Sequence, residues 1–277
     1  MDKSFYILLK TIFNLSIMNK IFRLIAIIFS FMFLSNNSYS KAINKMIFQF
    51  RIYHLKDEKQ VSITDSFLQH AFIPALHRFG IKNIGVFKPL TNDTATDKKI
   101  YVLIPYASLD QLMKIDERLH TDVFFKKDGE SFLHADAAAP PFQRMESILL
   151  NAFDGQPGMD LPKQKDPDRV FELRSYESPT DHLADTKRAM FNKDEMEIFM
   201  RLGFNPVFYG EVISGSRMPN LMYMPIFKSV DDKNAQWKVF GNDAKWKEIS
   251  SDPKYENKVS VSHIDSIPMH STDYSDY

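Results

Sequence analysis

Apolar and polar residues alternate over Met46-Ile47-Phe48-Gln49-Phe50-Arg51-Ile52-Tyr53. Phe48, Phe50 and Ile52 share one face, and Gln49, Arg51 and Tyr53 the other, which is the period-2 signature of a strand. From about Ile63 to Phe79 the pattern turns helical, closed by Gly80 and interrupted by Pro74, which must kink the helix or split it. Ile84 to Leu90 predicts a strand, Thr91 to Lys98 a polar turn, and Ile100 to Tyr106 a wholly apolar strand. Ser108 and Asp110 offer caps for a helix through Leu112, Ile115 and Leu119, and Met145 to Phe153 predicts a closing strand.

Ala152 to Arg169 breaks the periodicity with Gly155, Pro157, Gly158, Pro162 and Pro167, as a linker does. Then the grammar restarts. Phe171-Glu172-Leu173-Arg174-Ser175-Tyr176 repeats Phe48 to Tyr53 at a spacing of 123 residues, and Arg201-Leu202-Gly203-Phe204 repeats Arg78-Phe79-Gly80-Ile81 at the same spacing. Ile226 to Asp231 answers Pro105 to Asp110 with a two-residue slip, and Asp265-Ser266-Ile267 answers Glu146-Ser147-Ile148. A spacing shared by a strand and a helix end marks an internal duplication. The expected domains are 46–153 and 170–277, joined by 154–169.

Each copy reads strand, helix, strand, strand, helix, strand. The fold class is therefore α+β: two tandem ferredoxin-like (βαββαβ) repeats with antiparallel sheets and helices on one face. Leu103, Met222, Met224 and Ile226 leave the other face too apolar to face water. Two copies that cover each other's bare sheets give a pseudo-two-fold α+β barrel.

The 277 residues are enough for two modest cores. Lysine plus arginine equal aspartate plus glutamate at 35 each, which argues against a basic nucleic-acid groove, so no nucleic-acid partner is expected. The absence of cysteine removes disulfides, thiolate nucleophiles and thiolate metal sites. Lys20 and Arg23 precede an apolar run, Leu24 to Leu34, too short for a membrane span of about 20 residues. The small-x-small triplet Ser38-Tyr39-Ser40 follows it. Residues 1–40 thus predict a secretory signal, with Met18 as a candidate true start and an uncleaved membrane anchor as the alternative. Cleavage would leave 31 basic against 34 acidic residues, near −3, in an exported chain with no stable membrane span.

The chain resembles the NIPSNAP family of the dimeric α+β-barrel superfamily. The resemblance is strongest over 170–277: Glu172-Leu173-Arg174 with Tyr176, Gly203-Phe204-Asn205-Pro206-Val207-Phe208, Gly210-Glu211, Gly215 to Tyr223, Trp237, Phe240, Trp246-Lys247, Pro253 with Tyr255, and Thr272 to Ser275. Phe50-Arg51 with Tyr53, Ile73 to Leu76 and Ser147 to Leu150 carry a looser likeness in the first copy. The resemblance implies the barrel fold and brings no catalytic residues with it.

Candidate chemistry follows from the strand faces. With helices on the Phe171 and Leu173 face, Arg174 and Tyr176 would enter the lumen, joined by Arg51 and Tyr53 from the first copy. Tyr209, Glu211 and Tyr223 would line the same lumen, with Arg217 in the turn at its mouth. Arginine there suits a small anionic ligand, unless Arg174 is consumed by Glu172 or Glu211 as a structural ion pair. Glu211, if buried, would be a general base. The histidines form no metal-binding spacing, so no metal and no cofactor is expected; haem, through His70, His77 or His263, is a minor alternative implied by the superfamily. GxGxxG, Walker and GxSxG motifs are absent from the sequence. Two functions remain: a binding module that holds a small molecule, a protein partner or a second copy as a homodimer, and a small-molecule enzyme such as a cofactor-free monooxygenase, isomerase or lyase.

Overall fold

The first alternating run becomes β1 (Ile47–Leu55), and its repeat becomes β5 (Val170–Glu177). Between them lie β2 (Gly85–Pro89), β3 (Lys98–Tyr106) and β4 (Arg144–Ala152); after them come β6 (Asn205–Ser214), β7 (Asn220–Phe227) and β8 (His263–Ser271). This is a computed structural model and describes residues 44–277. The expected secretory signal and alternative start at Met18 lie outside the described residues. Among the described residues no helix is long and apolar enough to cross a membrane.

The duplication extends to element boundaries. Helix Glu58–Phe67, a π-helical turn Leu68–Phe72 and helix Ile73–Arg78 recur 123 positions later as Asp181–Met190, Phe191–Glu195 and Met196–Arg201. Both runs start on a capping side chain: Asp57 accepts from the Gln60 amide and Thr180 from the Leu183 amide. Both end on a glycine in the left-handed region, Gly80 at φ 81° and Gly203 at φ 82°. Pro74 sits in the first turn of its short helix, just after the π turn, where a missing amide does least harm. The second copy has Glu197 there and keeps the π turn, so the irregularity belongs to the repeat and Pro74 is accommodated by it.

Each half pairs its strands in the order β4-β1-β3-β2 or β8-β5-β7-β6, all antiparallel. Two seams, β2 with β8 and β4 with β6, join the halves edge to edge, so the eight strands form one closed barrel within a single chain. Closure removes every free sheet edge. Three apolar cores result. One lies between the first sheet half and its helices, one between the second half and its helices, and the third fills much of the lumen. In the lumen Phe48 and Phe50 meet Phe208 at 5.1 and 5.7 Å between ring centroids, and Phe87 meets Phe171 at 4.9 Å.

This arrangement reverses the face assignment expected from the sequence. Phe171, Leu173, Met222 and Met224 point into the lumen, while Arg51, Tyr53, Arg174, Tyr176, Tyr209 and Tyr223 lie on the outer face. The physical reason is that both faces are buried, one by helices and one by the opposite sheet. The helix layer supplies polar partners such as Trp237, so the Arg174 and Tyr176 face turns outward and the Phe171 and Leu173 face turns inward.

Candidate functional site

Towards one end of the barrel the apolar packing gives way to a cavity of about 620 Å³. Its floor is Ile52, Ile148, Leu173, Met222 and Ile267, each from a different strand. Its wall is polar: His54, Asp97, Lys99, Tyr101, Arg144, Glu146, Ser175, Arg217 and Asp265. Strand alternation builds this directly. Inward positions that carry Phe48, Phe50 and Ile52 on β1 continue to His54 at the mouth, and those carrying Leu150 and Ile148 on β4 continue to Glu146.

His54 is buried with a carboxylate on each side. Its Nδ1 lies 2.9 Å from an Asp97 oxygen, and its Nε2 lies 2.9 Å from Glu146 Oε1. An imidazole donates to both only when doubly protonated; a neutral ring leaves one carboxylate facing a lone pair. Glu146 also accepts from Arg144 at 3.0 Å, and Lys99 lies 3.4 Å from Asp97. Across the mouth, Arg217 in the β6–β7 turn pairs with Glu177 at 2.8 Å and with Asp265, while His263 Nε2 lies 3.0 Å from the same Asp265. Burial opposes ionisation of Asp265, yet the hydrogen bonds from His263 and Arg217 prevail and hold its carboxyl below the usual range. Burial, reinforced by Asp265, Glu146 and Asp97, pushes the Tyr101 phenol far above its ordinary value. Tyr101 is therefore a standing donor, and it makes no side-chain hydrogen bond among the described residues.

The two sides of the mouth are related by the duplication. His54, Arg144 and Glu146 correspond to Glu177, His263 and Asp265 at the strand spacings found in the sequence. Ligand atoms of Glu177, His263 and Asp265 lie within 4.8 Å of one another, but the Arg217 guanidinium already bridges both carboxylates.

Of the residues expected in the lumen, Arg217 alone reaches this mouth. Arg174 is consumed beneath the helices: it donates to Glu172 at 2.9 Å and to the Tyr176 hydroxyl at 2.9 and 3.1 Å, and it stacks on Trp237 at 4.6 Å. Tyr176 and Tyr223 share a 3.0 Å hydrogen bond, and Tyr209 stacks on Tyr223 with ring centroids 5.7 Å apart. Burial pushes all three phenols upward. Glu211 is part-exposed on β6 and pairs with Arg188 at 3.1 Å, so it is no buried base. Arg51 and Tyr53 line a separate pocket under the helices of the first half.

His54, Asp97, Tyr101 and Glu146 are not marked by any local pattern, because three strands and a loop supply them. The matching triplets Glu146-Ser147-Ile148 and Asp265-Ser266-Ile267 were the available signal. The mouth also does not suit haem. His54 has both nitrogens engaged, His263 is held by Asp265, His77 Nε2 bonds Asp276, and His70 is exposed on the π turn.

The NIPSNAP family model matches residues 171–275. Among solved structures, two proteins each named "putative monooxygenase" share the fold. The one from Fusobacterium nucleatum has TM-score 0.57 and 8% identity, covering 82% of this chain and 92% of that one. The one from Lactobacillus acidophilus has TM-score 0.52 and 12% identity, covering 82% and 94%. A NIPSNAP family protein from Agrobacterium tumefaciens is 17% identical, covering 42% of this chain and 97% of that one, with TM-score 0.36. Curated proteins provide no significant match.

Proposed function

From the premise that residues 171–275 are a NIPSNAP domain, here one half of a closed α+β barrel, we propose that the protein binds a small amphipathic molecule in the barrel mouth. The observation that carries this reading is the 620 Å³ cavity with an apolar floor and a polar wall that includes the unengaged Tyr101 hydroxyl. A concave, half-apolar site with a few convergent polar groups is what small-molecule recognition uses. Lys99, Arg144 and Arg217 are matched by Asp97, Glu146 and Asp265 along the wall, so the ligand head is neutral or zwitterionic rather than a bare anion. The apolar body rests on Leu173, Met222 and Ile267, and Tyr101 donates to an acceptor on the head.

A thermal-shift and calorimetric screen of the full chain against neutral and zwitterionic amphiphiles tests this. Tyr101→Phe should weaken a hit about tenfold, the worth of one hydrogen bond, and Ile267→Trp, which fills the floor, should abolish it. A hit indifferent to both substitutions, or no hit at all, would exclude the mouth.

A second reading rests on His54. A histidine oriented by two carboxylates beside a protonated tyrosine has the parts of an acid–base pair, which suits an isomerase, a lyase or a cofactor-free oxygenase. Turnover of a bound ligand that His54→Gln eliminates, with binding retained, would favour it.

A further inference from the structure

The duplication provides an internal control on Arg51. In the second half, Arg174 lies close to two buried acids: Glu172 pairs with it directly, and Glu195 feels its charge. Burial pushes the Glu195 carboxyl up, with Lys187 at 3.6 Å and Arg174 acting against that rise. At the common spacing of 123 residues, the first half keeps the arginine and loses every other charge: Gln49 stands for Glu172, Phe72 for Glu195 and Thr64 for Lys187.

Arg51 is accordingly under-compensated. Its side chain is only 15% exposed, yet its nearest carboxylate, Asp116, is 3.9 Å away and 76% exposed. Its hydrogen bond to Gln49 Oε1 is long at 3.4 Å, and its other side-chain partner among the described residues is the neutral Tyr53 phenol. The Phe72 ring, 4.7 Å below the guanidinium, offsets part of the charge. A buried cation normally has a close counter-charge, as Arg174 does. Beside Arg51 lies a pocket of about 220 Å³ lined by Tyr53, Phe67, Phe72, Phe125, Phe132 and Phe142, with Asp116, His120 and Met145 among its other walls. A cavity of about 150 Å³ with such walls holds a benzene ring.

We infer that this pocket, distinct from the barrel mouth, binds an aromatic carboxylate whose anion supplies from the pocket side the counter-charge that Glu172 gives Arg174. The ring packs among Phe67, Phe132 and Phe142, and the carboxylate takes the free edge of the Arg51 guanidinium as a planar, two-point partner. Asp116, exposed and only loosely paired at 3.9 Å, swings into solvent and yields its place to the ligand.

The test titrates the full chain with 3-phenylpropionate and with its neutral amide, 3-phenylpropanamide, by calorimetry. The carboxylate should bind at least tenfold more tightly than the amide, and Arg51→Met should erase that preference. Met145 is exposed at the pocket's edge, so Met145→Trp is placed to block entry without removing the guanidinium; it should abolish binding even if Arg51→Met fails to fold. Equal affinity for acid and amide, or unchanged binding in Met145→Trp, would overturn the inference, and neither result bears on the mouth.

Discussion

Two arginines at equivalent positions experience opposite surroundings, and the difference is measurable in stability. Removing Arg174 strands Glu172, which is 1% exposed and otherwise held by Trp237 and Ser266. Arg174→Met should therefore destabilise the fold by about 3–5 kcal/mol, the usual cost of orphaning a buried charge. Arg51→Met removes a charge that no buried acid needs, so denaturant unfolding should place it within about 1 kcal/mol of the parent. Similar losses in both variants would show that the first-half arginine has a partner after all. Gly203 poses a backbone question of the same size. An added Cβ would meet nothing within 4 Å, so Gly203→Ala isolates the cost of φ at 82°, expected at about 1 kcal/mol.

At the level of elements, the β6–β7 turn acts as a clamp, because Arg217 on it grips Glu177 of β5 and Asp265 of β8. Asp265 has a depressed carboxyl pKa in the fold, so its contribution is present at neutral pH and is lost as pH falls from about 4 through the folded-state value. Melting temperature against pH should fall less steeply in that range for Asp265→Asn, from a lower neutral-pH start; parallel curves would deny the clamp. The strands, the repeat spacing and the helix-ending glycines were all legible in the sequence, because each leaves a local pattern. Gly241-Asn242-Asp243 has the composition of a helix break, and the helix Val230–Asn242 that carries Trp237 gives way at Asp243 to Ala244–Ser250, which carries Trp246. Which sheet face enters the lumen was not. Alternation tells which residues share a face, but Phe171 and Leu173 on one side and Arg174 and Tyr176 on the other are both buried, and only the helix layer's partners decide between them. The mouth was illegible for a different reason: His54, Asp97 and Glu146 meet through pairings that span 43 and 92 residues.

For the whole molecule, stability of either half depends on the other through the lumen as well as the two seams. Phe48, Phe50, Leu103 and Leu150 from one half pack against Phe171, Val207, Phe208 and Met224 from the other, and all are almost fully buried. A fragment of residues 165–277 keeps its helix-covered core, which includes Phe191, Phe199, Phe204 and Trp237. It exposes the lumen face and two unpaired edges, β6 and β8, where the intact chain has β4 and β2. An apolar sheet face bounded by open edges is a template for association. The missing half has the same strand order, so a second copy of the fragment offers the nearest substitute for it. Size-exclusion chromatography with light scattering should find this fragment dimeric or larger. Substituting Phe208 and Met224 with lysine should reduce its association, because charges on that face cannot be buried in pairs of like sign. A fragment that ran as a stable monomer without either substitution would mean that the lumen contributes little to the fold, and that the two halves are neighbours rather than mutual supports.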